Sequence, residues 1–206
     1  MALTKAALMA GWSRLAAGAD RAAAELNALD GQIGAGDLGV TLQLATQSVS
    51  HLLPTLPDDV GMAFMQCAQA VTRAASSSFG TLLATGLMSA AKAARGRTDV
   101  PWSEVPDLLA GAIAAIMARG KASLGDKTVL DALEAARLAA VGCRTPQEQL
   151  AKAQQAVADT VAAFRDRPNK VGRARIWGER TIGLDDPGMI ALQRMIDSLL
   201  QGEGHE

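Results

Sequence analysis

The chain has no tyrosine, and its only aromatic residues are three tryptophans and three phenylalanines in 206 residues. Its core therefore has to be assembled from Leu, Ala, Val, Ile and Met. Two cysteines, Cys67 and Cys143, cannot build a disulfide framework, and neither stands at a metal-ligand spacing; they read as reduced, buried thiols. Charge of one sign is also missing: 20 basic against 21 acidic residues leave a net charge of −1. That balance lacks the electrostatic footprint of a nucleic-acid or anionic-membrane partner and argues against both. No apolar run approaches the ~20 residues of a membrane span. The first 21 residues carry no basic segment ahead of their apolar stretch, which Gly11, Ser13 and Arg14 interrupt. They read as an amphipathic helix rather than a leader, and the expectation is a soluble, cytoplasmic protein.

What remains is 49% hydrophobic and 20% charged, and the length suits one domain over 1–206 with one sizeable core. Apolar residues recur at three- and four-residue steps almost throughout. Leu3, Ala7, Leu8, Trp12, Leu15 and Ala19 begin the pattern, and Leu26 and Leu29 continue it. Further helices are expected over about 38–53, from an N-cap at Asp58, over 79–95, 103–119, 127–141, from Pro146, and from Pro187 behind an Asp186 cap. No strand alternation stands out, no internal repeat is visible, and the tail 202–206 reads as frayed. The fold class is all-α, with about eight antiparallel amphipathic helices in an up-and-down barrel whose site lies at one end.

That end follows from counting. In an up-and-down bundle the first, third, fifth and seventh connections share one end. Here these are 30–37, 74–78, 120–126 and 167–186, and they are the loops of unusual composition. The first, within Leu29–Gly39, holds Asp30 and Asp37 among four glycines. Carboxylates in a glycine-rich turn suit a hard divalent cation that also bridges phosphate, although both aspartates also fit as helix caps. Ser76, Ser77, Ser78 and Thr81 stand where turn hydroxyls or a phosphate-binding helix start would be. Thr128 and Asp131 have capping-box spacing. The segment 170–180 carries four cations and one anion, so Arg173, Arg175 or Arg180 can either be solvated or clamp phosphate.

Three stretches resemble the nucleotide-binding L subunit, or domain, of dihydroxyacetone (glycerone) kinases. LDGQIGAGDLG at 29–39 is similar to the family's LDxxIGDGDHG, GDKTVLD at 125–131 to GDKTMLD, and GRARIWGERTIGLDDPGM at 172–189 to GRASYLGERSIGHxDPGA. Order, spacing and total length agree across essentially the whole chain. The resemblance implies an eight-helix barrel that holds ADP or ATP at one end with Mg²⁺. Asp30 and Asp37 match metal ligands. Leu38, Gly39, Ser76, Ser77, Gly120, Val129, Arg173, Asp186 and Gly188 match or lie near nucleotide-binding positions, and Arg173 would act on the phosphates.

The keto-sugar would sit on a separate K subunit, held there through a histidine; His51 and His205 of this chain lie outside the matched loops. The phosphate donor would be ATP, or a phosphotransferase-system protein that recharges bound ADP, with no covalent intermediate on this chain. Several positions depart from the family. Ala35 replaces a metal aspartate, Leu38 and Leu184 replace histidines, and Thr72–Thr81 lacks a glycine pair, with Arg73 at one glycine and Ala75 at the serine. These departures leave a second reading open, a family member that binds a partner or nucleotide without turnover.

Overall fold

A computed structural model describes residues 2–120 and 122–201, so the tail 202–206 and Lys121 of the fifth connection lie outside the described residues. Among the described residues the chain forms eight α-helices and one pair of three-residue strands. The helices are α1 (Lys5–Ile33), α2 (Leu38–Ser50), α3 (Val60–Ala74), α4 (Ser78–Ala93), α5 (Val105–Gly120), α6 (Val129–Ala140), α7 (Pro146–Phe164) and α8 (Pro187–Leu200). Each packs on its neighbours in sequence, and α1 packs on α8 to close the ring. Alternation of direction plus closure makes an up-and-down barrel, as the short connections require.

The apolar stripe of α1 buries Leu8, Trp12, Ala19 and Leu26, the residues its spacing marks out. The far end of the barrel is filled around Val49, Leu56, Val60 and Val100. A second cluster gathers Leu26, Leu42, Val157 and Met189, and Ile113, Ile116 and Leu130 form a smaller one. Alanines recur at these contacts because the backbones run close together. At Gly39 the approach leaves no room for any side chain, since a Cβ there would lie 2.1 Å from the Ala23 carbonyl oxygen.

Several boundaries differ from expectation for local physical reasons. Helix α1 runs through Asp30 to Ile33, so the first connection is only residues 34–37. The cap of α3 is Asp59, whose carboxylate accepts the N–H of Met62 (2.9 Å) and, across the end of the barrel, that of Gly96 (2.8 Å). Asp58 instead pairs with Lys5 at 3.4 Å. Helix α6 starts two residues late because Lys127 takes a left-handed backbone (φ 61°) that a helix cannot contain. Residues Trp102–Glu104 form a 3-10 turn ahead of α5. The strands β1 (Ala2–Thr4) and β2 (Asp99–Pro101) pair antiparallel, Leu3 opposite Val100. Three residues are too few for an alternating pattern to register, so this pair was invisible in the sequence.

Candidate functional site

The first, third, fifth and seventh connections do meet. A cavity of about 330 Å³ at that end is lined by Gly34 and Asp37 from the first, Ser77 from the third, Ala122 and Thr128 from the fifth, and Gly172, Arg173 and Asp186 from the seventh. Its walls are apolar, formed by Leu38, Phe79, Leu82, Ile116, Val129 and Leu130. Such a volume falls at the small end of ligand pockets, roughly 300–1,000 Å³. Since every even-numbered helix starts at this end, Leu38, Ser78, Val129 and Gly188 bring the first turns of α2, α4, α6 and α8 to one cavity. The ends of α1 and α5 reach the same cavity at Ile33 and Gly120, so helix dipoles of both signs meet there, and what the four helix starts offer an anion is their free N–H groups.

The two aspartates do different jobs. Asp30 sits in the last turn of α1, and its Oδ2 accepts the N–H groups of Gly36 (2.8 Å) and Asp37 (3.0 Å), folding the connection back over the helix end. Asp37 occupies the cap position of α2 yet makes no capping hydrogen bond. That work is done from the neighbouring helix by Asn27, whose Oδ1 accepts from Gly39 (2.8 Å) and Val40 (3.3 Å). The Asp37 carboxylate is thereby released at the cavity, where a helix cap would have tied it down.

The opposite wall is held by buried polar groups. Lys127 is 1% exposed, and its ammonium donates to the carbonyls of Arg165 (3.1 Å), Arg167 (2.8 Å) and Thr181 (2.9 Å). Burial holds its pKa below the usual lysine range, against the pull of Asp186, Asp185 and Asp166. Asn169 donates its amide to the Lys127 carbonyl (2.7 Å) and to Asp186 Oδ2 (2.8 Å), while its own Oδ1 is buried without a partner. Asp186 caps α8 through Met189 N–H (2.9 Å). Burial pushes its carboxyl up to about 6, with the Met189 N–H and the Asn169 amide working in the other direction. The Thr128–Asp131 capping box forms as expected and fixes the start of α6. One lysine thus anchors the fifth connection to the seventh.

Of the residues singled out from sequence, Asp30, Asp37, Leu38, Ser77, Gly120, Val129, Arg173, Asp186 and Gly188 line the cavity. Gly39 and Ser76 do not. Gly39 is the point where α2 packs against the α1 backbone, and Ser76 is exposed on the third connection. Ser77 caps α4, its Oγ accepting from Gly80 N–H (3.2 Å) and the Thr41 hydroxyl (3.1 Å), which leaves its own hydroxyl hydrogen to offer. The three candidate arginines separate. Arg173 borders both the cavity and an adjoining groove, Arg175 borders only the groove, and Arg180 stacks on Trp177 at 5.0 Å.

Asn27, Lys127 and Asn169 are the structural supports that sequence reasoning missed. Lys127 stood inside a quoted motif, but nothing local distinguishes a buried lysine from a solvated one. Among the described residues no group of three or more His, Cys, Asp or Glu could hold a metal, and no helix is long and apolar enough to cross a membrane. Cys67 and Cys143 are free thiols and buried, and burial pushes the Cys67 thiol up to about 12.

Comparison with known proteins agrees with this architecture. The DAK2 domain model matches residues 32–201. The "PEP-dependent dihydroxyacetone kinase 2, ADP-binding subunit DhaL" of Listeria innocua is 28% identical over 193 residues, 85% of this chain and 84% of the relative. The "PEP-dependent dihydroxyacetone kinase, ADP-binding subunit DhaL" of Escherichia coli is 26% identical over 179 residues, 84% of this chain and 85% of the relative. Among solved structures, the dihydroxyacetone kinase of C. freundii in its native form superposes with a TM-score of 0.74 at 26% identity. The likeness covers 96% of this chain but only 34% of that one.

Proposed function

Because the chain belongs to the DAK2 domain family, we propose that it is the nucleotide-binding subunit of a dihydroxyacetone-type kinase, 1–206 acting as one domain in the cytoplasm. It holds Mg-ADP or Mg-ATP and hands a phosphoryl group to a small keto-sugar carried by a separate K subunit. The donor is either ATP or a phosphotransferase-system protein that recharges bound ADP. The observation that carries this reading is the convergence of four helix starts and a carboxylate relieved of capping duty on one apolar-walled cavity. The apolar walls suit a flat base, the helix starts suit phosphates, and Asp30 with Asp37 suits one Mg²⁺ that keeps waters and phosphate oxygens among its ligands. The metal, when bound, neutralises charge on the transferring phosphoryl group.

The chain's own residues do the rest by position. Ser77 offers a hydroxyl hydrogen beside the α4 start, and Arg173 offers a guanidinium at the rim, where it can pair with two phosphate oxygens at once. The wall bearing Arg173 is held by the buried Lys127 and Asn169, so the guanidinium hangs from a supported loop. Such a site works by orientation and electrostatics and needs no covalent intermediate on the protein.

Calorimetric titration with Mg-ADP and Mg-ATP, with melting temperature measured in parallel, tests the reading. Heat of binding and a higher melting temperature are expected. Neither signal at millimolar nucleotide would overturn it. Binding without phosphate transfer in the presence of a cognate K subunit would assign the chain to a non-catalytic role, the reading that the exposed Ala35 between the two aspartates favours.

A further inference from the structure

We infer that the outer face of α2, α3 and α4 is where two copies of this chain associate, across a two-fold axis that runs α3 of one antiparallel to α3 of the other. The inference is independent of the nucleotide reading above. From Leu38 to Ala91 the only charged residues are Asp58, Asp59 and Arg73, although 20% of the whole chain is charged. The rest of the ring is laced with ion pairs: Glu134 with Arg137 on α6, Glu148 with Lys152 on α7, and Arg194 of α8 with Glu25 of α1. In their place α2, α3 and α4 expose Val40 (44%), Leu44 (45%), Met62 (52%), Met65 (37%) and Met88 (49%), five of the ten large apolar side chains that the described residues leave exposed. They share one wall, because α2 packs on α3 and α3 on α4. Exposed apolar side chains gathered on one face mark an interaction site, and methionine suits such a site because its flexible thioether adapts to what it meets.

What fits this wall is a second copy of it. Its middle carries no charge to repel its own kind, and Gln66 and Gln69 of α3 bear amides that both donate and accept, so each can match itself across a two-fold axis. The charges of α3 stand at its two ends. Asp58, its side chain 83% exposed, lies just before the helix, and Arg73 is exposed in the last turn. Asp59 is committed to the N–H groups of Met62 and Gly96, so Asp58 is the carboxylate on offer. Its contact with Lys5, 3.4 Å from Oδ1, is loose enough for one carboxylate to serve two cations. Antiparallel pairing sets Arg73 of each copy against Asp58 of the other, whereas parallel pairing would oppose like charges. Helices of 13, 15 and 16 residues, about 20–24 Å long and 8–10 Å apart, present roughly 500 Å² a side. That is below the ~800 Å² of a standard interface, so the dimer is a weak one, with a dissociation constant in the micromolar range. None of these side chains lines the cavity, and contact along the wall leaves both cavities open.

Sedimentation velocity on the full chain, from about 1 to 500 µM, tests the inference. The wild-type chain is expected to pass from monomer to dimer within that range, with a melting temperature that rises with concentration. Met65→Glu should hold the chain monomeric while leaving the melting temperature of the dilute protein unchanged, since the side chain is exposed. Arg73→Asp and Asp58→Arg should each weaken self-association by about tenfold or more, because each sets like charges against one another at both ends of α3. Mixing those two variants should restore association, since the mixed pair regains two opposite-charge contacts. A wild-type chain monomeric throughout would overturn the inference and leave the wall to a different protein. So would a dimer indifferent to Met65→Glu, which places the contact on another face. Two charge variants that fail to rescue each other would overturn it too, by removing the antiparallel register.

Discussion

The two ends of the barrel are built from the same helices and solve opposite problems. At the far end, the second, fourth and sixth connections close over apolar side chains. Leu53, Leu56 and Val100 are buried, the β1–β2 pair ties the start of α1 to the fourth connection, and Gln149 donates to the Trp102 carbonyl at 2.6 Å. At the site end, buried positions go to Lys127, Asn169, Thr181 and Asp186, groups that hydrogen-bond to backbone and leave a cavity rather than a plug. The far end is held mainly by displaced water, the site end by polar side chains bonded to distant backbone. The difference teaches that one barrel can be closed by apolar burial at one end and kept open by a polar frame at the other.

Truncating the two frames should separate them most widely. Lys127→Met removes a donor from three carbonyls, of which those of Arg165 and Thr181 keep the N–H groups of Gly183 and Leu184, and should cost about 2–4 kcal/mol in urea unfolding, with nucleotide binding lost even where the chain stays folded. Leu56→Ala at the far end should cost about 2–4 kcal/mol with nucleotide affinity unchanged in the folded fraction. Equal losses of affinity in both would erase the comparison.

The next effect is one of pH. Asp186 has its folded pKa raised to about 6, so the folded chain binds its proton more tightly than the unfolded chain does. The stability this contributes is fully present below the ordinary carboxylate value and is lost as pH rises through about 6. Asp186→Asn retains a capping side chain without that titration. Between pH 4 and 7 the variant should therefore gain on wild type by on the order of 3 kcal/mol, read from urea midpoints. A constant difference across that range would sink the assignment of the shift to burial.

The smallest effect sharpens the reading of the first connection. Asn27→Ala should cost about 1 kcal/mol, because it removes the working cap of α2. Asp37→Ala should stay within about 0.5 kcal/mol, although Asp37 holds the cap position. The reverse order would return Asp37 to a structural role.

Much of this was legible beforehand. Helix periodicity marked the buried face of α1 through Leu8, Trp12, Ala19 and Leu26, and counting connections brought the right four loops together. The 34–37 connection was read too long because Asp30 and Gly31 look like turn residues. They remain helical since the Asp30 carboxylate anchors the chain that follows. Gly39 was read as a ligand position because a glycine needed for helix packing is identical, in sequence, to one needed for phosphate approach. Phe79, Leu82 and Ile116 carried no signal as cavity walls, since a wall residue and a core residue have the same periodicity.

The sequence by itself determined the helices, their count and the end at which the unusual loops would meet, because apolar periodicity and chain direction are local properties. Only the tertiary structure decided which carboxylate is tied down and which is released. Asn27 and Asp37 are ten positions apart and on different helices, and the hydrogen bond that relieves Asp37 of its cap exists only once those helices are packed. Lys127 makes the same point from the other wall, since its three carbonyl partners lie between 38 and 54 residues away along the chain. A buried charge is stable only where distant backbone has been brought to meet it.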